Sequence, residues 1–513
     1  PTPSSAASDV YKRQAITILF YGCSTEQPTE SVKLNLLYDE IWDHQMISFP
    51  TYATYVGYPG QNDRWSDPSL QFLEAYEVSR KNFLRRLQNI DQSELTDREV
   101  LGLKLITQNL RIQTEGFKFP EEFILIHQRS GVQQDISDVL SIMPKNSLKD
   151  FEDRLERLRK APEYIGKTID VLRIGLEKNI TPPKITLRDV PQQIKNTIPT
   201  EISNSPLLNS FNNFPVSMTE EDKDRIVKQA ESIVETEVYP AFEQLYDFLV
   251  EEYIPNSNES IALSDNPDGK EWYKHRARQF TTTQLQPKEI HDLGLNEVAR
   301  IKAEMDDVII KSGFEGSFDE FTNFLRTDPQ FYAKTEEELL SGYRDIAKKA
   351  DPELPKLFGK LPRMPYGIIE IPSYAAKSQT TAYYRGGSQK DGRAGYFYAN
   401  TYALNTRPKW EMEALTLHEA MPGHHLQISL AKELPETHPL IQNLSYTGFV
   451  EGWGLYAESL GTEMGFYKDP YSKFGQLTYE MWRAVRLVVD TGMHYFGWSR
   501  DEAINYFAAN TPK

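Results

Sequence analysis

A chain of 513 residues with a single cysteine, Cys23, cannot close a disulfide within itself, so its fold has to rest on a packed core. Long apolar runs are also missing. The short one at residues 15–23 falls well below the roughly 20 residues that span a bilayer, and no later stretch approaches that length. Basic residues are in deficit, 57 Lys and Arg against 74 Asp and Glu, for a net charge of −17. A phosphate binder needs a basic footprint, so a nucleic-acid partner is excluded and the charge serves solubility. Internal repeats and low-complexity tracts are absent.

Histidine is scarce as well, nine in all, yet three of them fall within the eight residues His418-Glu419-Ala420-Met421-Pro422-Gly423-His424-His425. Histidines and a carboxylate gathered at a helix end suit a zinc ion, which takes a few nitrogen or oxygen ligands at about 2 Å and, when catalytic, keeps a position open for water. In the usual H-E-x-x-H spacing the second ligand falls four residues after the first, on the same helix face. Pro422 occupies that place here. On a straight helix His425 regains the face of His418, but seven residues of rise set them roughly 10 Å apart. Pro422 cannot donate to the carbonyl of His418, and Gly423 tolerates unusual backbone angles, so a local bulge is expected. With those two residues looped out, His424 is drawn back to the i+4 place. His418 and His424 are the preferred ligands, and His425 is the alternative.

A third ligand is expected on the next helix, from about 446 to 466. Glu451 and Glu458 lie seven apart there, among Phe449, Val450, Trp453, Leu455, Tyr456 and Leu460. A carboxylate in such company is costly unless paired or metal-bound. Glu451 is taken as the ligand, and Glu458 as the group that orients a ligand histidine. Glu419, beside the metal-bound water, fits a general base. Further along, Arg486, Asp490 and His494 form an i, i+4, i+8 row on a helix from about 471 to 495. Read functionally, His494 stabilises an oxyanion while Arg483 or Arg486 holds a substrate carboxylate. Tyr396, Tyr398, Asn400 and Tyr402 alternate as one face of a strand, which is expected at a sheet edge where an extended peptide could pair. Tyr383 and Tyr384 are candidate donors to a transition state.

The run His418 to Gln427, the trio Glu451-Gly452-Trp453 and the segment Trp482 to His494 resemble the bacterial DUF885 family over essentially the whole mature chain. That family is similar in turn to the gluzincin metallopeptidases of the thimet oligopeptidase and carboxypeptidase Taq groups. Those have His-Glu-x-Gly-His where this HExxxGHH motif has three residues between His-Glu and Gly-His, and a Phe-Val-Glu segment that Phe449-Val450-Glu451 matches. The resemblance implies one Zn2+ held by His418, His424 and Glu451, with Glu419 as base.

Residues 15–23 stop at Gly22-Cys23 and resemble the end of a bacterial lipoprotein signal peptide, truncated, in which the cysteine is acylated. Residues 1–14 read as a foreign leader. The expected product is an exported protein tethered through Cys23 to a bacterial membrane, on the periplasmic side or at the cell surface, with no obligate protein partner. Helical periodicity predicts helices at about 32–47, 68–89, 95–113, 146–178, 219–251, 288–312, 330–349 and 409–433, besides the two already named, with strand signals between 364 and 404. The expected fold class is therefore mainly α: a large two-lobed helical fold, gluzincin-like, with a small β-sheet beside the active-site helix. An N-terminal helical lobe at 24–260 precedes a catalytic lobe at 261–513 whose C-terminal end stops short of what the family resemblance implies. The expected activity is zinc-dependent hydrolysis of oligopeptides. The alternatives are a peptide-binding lipoprotein that keeps the metal pocket without turnover, and a metal-dependent amide or ester hydrolase.

Overall fold

Thr29, Ser69 and Thr96 each place a side-chain oxygen over the first free amides of the helix that follows. Those caps start α1 (Glu30–Ser48), α2 (Leu70–Gln88) and α3 (Asp97–Gly116). The computed structural model describes residues 28–371, 376–377, 379–387, 393–435 and 437–512. The leader at 1–14, the apolar run at 15–23 and Cys23 lie outside the described residues. The apolar stripes of α1 to α3 meet in one cluster, which Leu440 joins from far along the chain. A second cluster gathers residues between 126 and 254, around α4 (Val132–Ile142), α5 (Leu148–Arg159), α6 (Ala161–Glu177) and α7 (Glu220–Ile233).

Two expected helices prove to be composite. The span 146–178 is divided at Lys160, because Pro162 occupies the first turn of α6. The span 219–251 continues from α7 to Tyr253 with two π-helical turns inserted.

The rest of the molecule is built from α8 (Gly269–Thr281), α9 (Pro287–Lys311), α10 (Glu336–Ala350), α11 (Met412–Glu419), α12 (His424–Lys432), α13 (Thr447–Leu460) and α14 (Pro470–His494). Asp469 caps α14 by accepting from the amides of Tyr471 and Ser472, with Pro470 at the first helical position. α9 packs along α14, burying Val298, Ile301 and Met305 against Val485, Val488 and Val489. α8 is not among the helices that the periodicity predicts. No helix of the described residues is long and apolar enough to cross a membrane.

One small sheet stands among these helices, formed by β1 (Tyr366–Glu370), β2 (Ala382–Arg385) and β3 (Gly395–Ala399) in the order β1-β3-β2. β3 is parallel to β1 and antiparallel to β2. The strand with the tyrosine face is therefore central, not an edge as expected, and both of its sides are occupied. Phe397 and Ala399 of β3 are fully buried, with Phe397 packed edge-on against Tyr343 of α10. β2 packs against α11 and so sets the sheet beside the histidine motif.

Candidate metal centre

The expected single helix over 409–433 is cut in two. α11 ends at Glu419 and α12 begins at His424, and residues 420–423 form a wider break than two looped-out residues. Gly423 makes the turn possible: a Cβ there would lie 1.8 Å from the carbonyl oxygen of His418 and 2.4 Å from that of Leu417. No other residue fits so close an approach. The break is held from outside, since the indole of Trp453 in α13 donates to the carbonyl of Pro422 at 2.9 Å. From within, the amide of His425 donates to the carbonyl of Ala420 at 3.1 Å.

This path brings the rings of His418 and His424 together, with centroids 4.6 Å apart and planes at 83°. Glu451, in the first turns of α13, reaches both: its carboxylate oxygens lie 3.7 Å from Nε2 of His418 and 3.9 Å from Nε2 of His424. One ligand atom from each of the three falls within 4.8 Å of the other two. Donors about 2.0–2.2 Å from a tetrahedral zinc stand roughly 3.3–3.6 Å apart. The carboxylate–imidazole separations of 3.7 and 3.9 Å come close to these values, so two imidazoles and a carboxylate fit the ion once the side chains draw in. α13 comes this close because it has no side chain at Gly454, where a Cβ would lie 2.5 to 2.8 Å from three atoms of the His418 ring.

The desolvation argument applies to Glu458 rather than to Glu451. Glu451 is exposed, whereas Glu458 is completely buried and its Oε1 lies 2.7 Å from Nδ1 of His418. Arg483, one wall of the site on α14, places a guanidinium nitrogen 3.7 Å from the same oxygen. Burial disfavours a charge on His418, but the carboxylates of Glu451 and Glu458 outweigh it and raise the imidazole to about 9 in the metal-free protein. His424 is pushed down to about 4, first by burial and then by the charge of His418. The Glu419 carboxyl follows His418 directly and is pushed up to about 7, chiefly by burial. It makes no side-chain hydrogen bond among the described residues.

Several expected participants lie elsewhere. His425, the alternative ligand, faces the sheet: its Nε2 is 3.0 Å from the carbonyl of Met364 and its Nδ1 is 2.8 Å from the hydroxyl of Tyr384. Both ring nitrogens are engaged, and Tyr384 is held by that contact rather than directed to the triad. Tyr396 lies on the sheet face opposite the buried Phe397, packed against Tyr398. Asn400 is buried, with its amide nitrogen within hydrogen-bond distance of the carbonyls of Ala376, Gln379 and Thr380 and its oxygen accepting from the amide of Tyr402. All of its polar groups are taken, and none remains for a substrate.

His494 and Arg486 share a face of α14, but that face looks into a separate cavity of about 710 Å3 between α14 and α8. There Nδ1 of His494 accepts the amide hydrogen of Leu263 at 3.2 Å, and the ring stacks on Tyr273. His494 is thus removed from the place of an oxyanion donor at the triad. The α8 residues that line this cavity, Trp272, Tyr273 and Arg276 among them, were not singled out in the sequence. The aromatic residues Trp272, Tyr273 and Phe280, recurring at close to helical spacing, carry the signal that would have found them.

Over residues 50–513 the chain matches DUF885, described as a bacterial protein of unknown function. Among curated proteins none matches it. Its fold is similar to that of a candidate lipoprotein from Colwellia psychrerythraea, with a TM-score of 0.89 at 24% identity over 94% of this chain and 87% of that one. A candidate lipoprotein of unknown function from Shewanella oneidensis is similar at a TM-score of 0.61 and 15% identity, over 95% of this chain and 90% of that one.

Proposed function

We infer that this chain, which belongs to the bacterial DUF885 family, is a zinc-dependent hydrolase of oligopeptides, similar in fold and site to the gluzincin metallopeptidases. The observation that carries this reading is the convergence of His418, His424 and Glu451, from three helices of which two are joined by a broken turn, to within 4.8 Å of one another. Held by these three residues, a zinc ion supplies a Lewis acid for the scissile carbonyl and acidifies a water.

The chain's own groups do the rest. Glu458 keeps the Nδ1 hydrogen of His418, so the lone pair of Nε2 is turned to the ion. Glu419 takes a proton from the water as its oxygen adds to the carbonyl carbon. The same proton passes to the nitrogen as the C–N bond breaks, and a peptide plus water becomes a carboxylic acid and an amine, which then exchange the acid's proton to leave as carboxylate and ammonium. A carboxyl raised to about 7 before metal binds suits a group that must both take and return a proton near neutral pH. β2 pairs only with β3 among the described residues, which leaves an edge beside α11 for an extended peptide.

The protein works outside the cytoplasm, tethered by lipid on Cys23. The candidate lipoproteins of similar fold and the apolar run ending at that cysteine support this. The test is metal analysis of the purified protein together with a peptide-library digest by wild type and Glu419→Gln. Stoichiometric zinc in both with cleavage only by wild type is the expected result; equal cleavage by both, or no zinc in either, overturns the reading.

A further inference from the structure

Successive side chains of a helix point about 100° apart, so when His424 turns to the triad at the start of α12, His425 turns to the sheet. There its ring, 1% exposed, meets all three strands. Nε2 lies 3.0 Å from the carbonyl of Met364, and Tyr366, which opens β1, packs on the ring with centroids 4.6 Å apart. Nδ1 lies 2.8 Å from the hydroxyl of Tyr384 in β2. Gly395, which opens β3, leaves the room for this contact: a Cβ there would collide with that hydroxyl and lie 3.1 Å from Nδ1. A carbonyl can only accept, so the ring hydrogen sits on Nε2 and Nδ1 accepts from Tyr384. One neutral ring satisfies both bonds.

The far end of α12 is tied down as well. Glu433 accepts the amides of Arg363 and Met364 at 2.8 and 2.9 Å, and Lys432 donates to the carbonyl of Gly387, just past β2, at 3.1 Å. Of these ties, His425 is the one beside a metal ligand. Its ring therefore joins the helix that carries His424 to β2, the strand whose edge receives an extended peptide in the hydrolase reading. A peptide paired with β2 lies about 4.8 Å from it and advances about 3.3 Å per residue. Which carbonyl falls at the ion then depends on where β2 stands relative to His424. Reacting groups misplaced by about 1 Å lose on the order of 100-fold in rate.

We propose that His425 is the positioning residue of this site: through Tyr384 and Met364 it holds the sheet in register with the metal helix, and so decides which bond of a bound peptide meets the ion. The proposal deepens the hydrolase reading and rests on it. His425 touches neither the ion nor the peptide. Its loss should therefore spare metal binding and disturb the alignment of the substrate.

Three variants test this. His425→Phe keeps a packed ring and removes both bonds. Tyr384→Phe removes only the bond to β2 and leaves the buried histidine in place, which guards against a variant that fails to fold. His425→Gln restores one donor and one acceptor. Zinc affinity, read by competition with a chromophoric chelator, should be unchanged in all three. With an N-acetylated hexapeptide amide, His425→Phe and Tyr384→Phe should raise KM, lower kcat/KM at least about tenfold and spread the cuts to neighbouring bonds, read by mass spectrometry. His425→Gln should return part of the rate and the wild-type cut site. In zinc-loaded Glu419→Gln protein the two phenylalanine substitutions should weaken binding of the same peptide at least about threefold by calorimetry.

Weakened zinc binding in His425→Phe or Tyr384→Phe overturns the proposal, as does an unchanged cut site with unchanged kcat/KM in both. A loss confined to kcat in Tyr384→Phe also overturns it, by making the tyrosine catalytic. Peptide binding by Glu419→Gln protein that depends on His425, in a protein whose wild type cleaves nothing, supports the positioning role and counts against the hydrolase reading alone; no peptide binding overturns the role.

Discussion

A carboxylate oxygen of Glu458, a side chain with no solvent exposure, lies 2.7 Å from Nδ1 of His418. The contact fixes the ring's orientation, and once Nε2 gives up its proton it leaves the hydrogen on Nδ1 and the Nε2 lone pair facing His424 and Glu451. Glu458→Gln keeps the shape and removes the charge. It should lower zinc affinity by about 10- to 100-fold, the range for partners that orient a metal-bound histidine. Competition against a chromophoric chelator reads this directly, and an unchanged affinity would remove Glu458 from the support of the site.

The electrostatics of the metal-free triad lead to a proton count. His418 is held protonated up to about pH 9, while His424 is neutral above about 4 and Glu451 is held ionised by the His418 ring 3.7 Å away. Zinc binding at pH 7 should therefore release about one proton from His418 and up to about half of another from Glu419, whose carboxyl stands at about 7. A histidine raised in the folded state stabilises the fold fully below its ordinary value of 6.5, and that contribution is lost as pH rises through 9. The metal-free protein should accordingly lose thermal stability between pH 6.5 and 9. Over the same window apparent zinc affinity should climb about tenfold per unit. Titration calorimetry in buffers of different ionisation heat counts the proton, and none released at pH 7 contradicts this account.

How much of this was legible in the sequence depended on whether the controlling interaction was local. Helical periodicity and polar caps are local, and they located α1, α2, α3, α9 and α14 to within a few residues, while α13 starts where expected and ends six residues early at Leu460. The Pro422-Gly423 pair announced a broken helix, though the width of the break depends on Trp453 reaching over from α13. Residue alternation assigned the faces of β3, but a strand's neighbours are decided by the chain around it. The hairpin with β2 and the crossover from β1 put β3 in the centre. Spacing likewise placed Arg486 and His494 on one face of α14 without saying which helix that face meets. It meets α8, whose start is hidden because Asp268 precedes it in the left-handed conformation with no side-chain cap.

Asn400 illustrates a structural role where a substrate contact was expected. Its side chain is 1% exposed and ties the end of β3 to the segment around Ala376 to Thr380. Asn400→Ala removes the side-chain hydrogen bonds to Ala376 and Thr380 and the acceptor for the Tyr402 amide, which should cost roughly 1–3 kcal/mol of stability at about 1 kcal/mol per lost bond. Thermal unfolding should show the loss while KM for a peptide substrate stays near the wild-type value. A stable variant with a raised KM would return Asn400 to the binding surface.

Two glycines on α13 should respond oppositely to the same change. Alanine in a helix interior is favoured over glycine by about 1 kcal/mol, so propensity alone would stabilise both Gly452→Ala and Gly454→Ala. At Gly452 nothing lies within 4 Å of the new Cβ, so the gain stands and zinc binding is untouched. At Gly454 the Cβ would sit 2.5 Å from Cε1 and 2.7 Å from Nε2 of His418, the nitrogen that faces Glu451. The ring cannot retreat without breaking its bond to Glu458, so overpacking of roughly 1–3 kcal/mol exceeds the propensity gain. Gly454→Ala should therefore lose zinc affinity by at least about tenfold, since the displaced ring is one of the three proposed ligands. Unfolding with and without zinc distinguishes the two variants. The zinc-induced rise in Tm should persist in Gly452→Ala and be clearly smaller in Gly454→Ala, and a wild-type rise in Gly454→Ala would mean that His418 does not need its observed position to bind the ion.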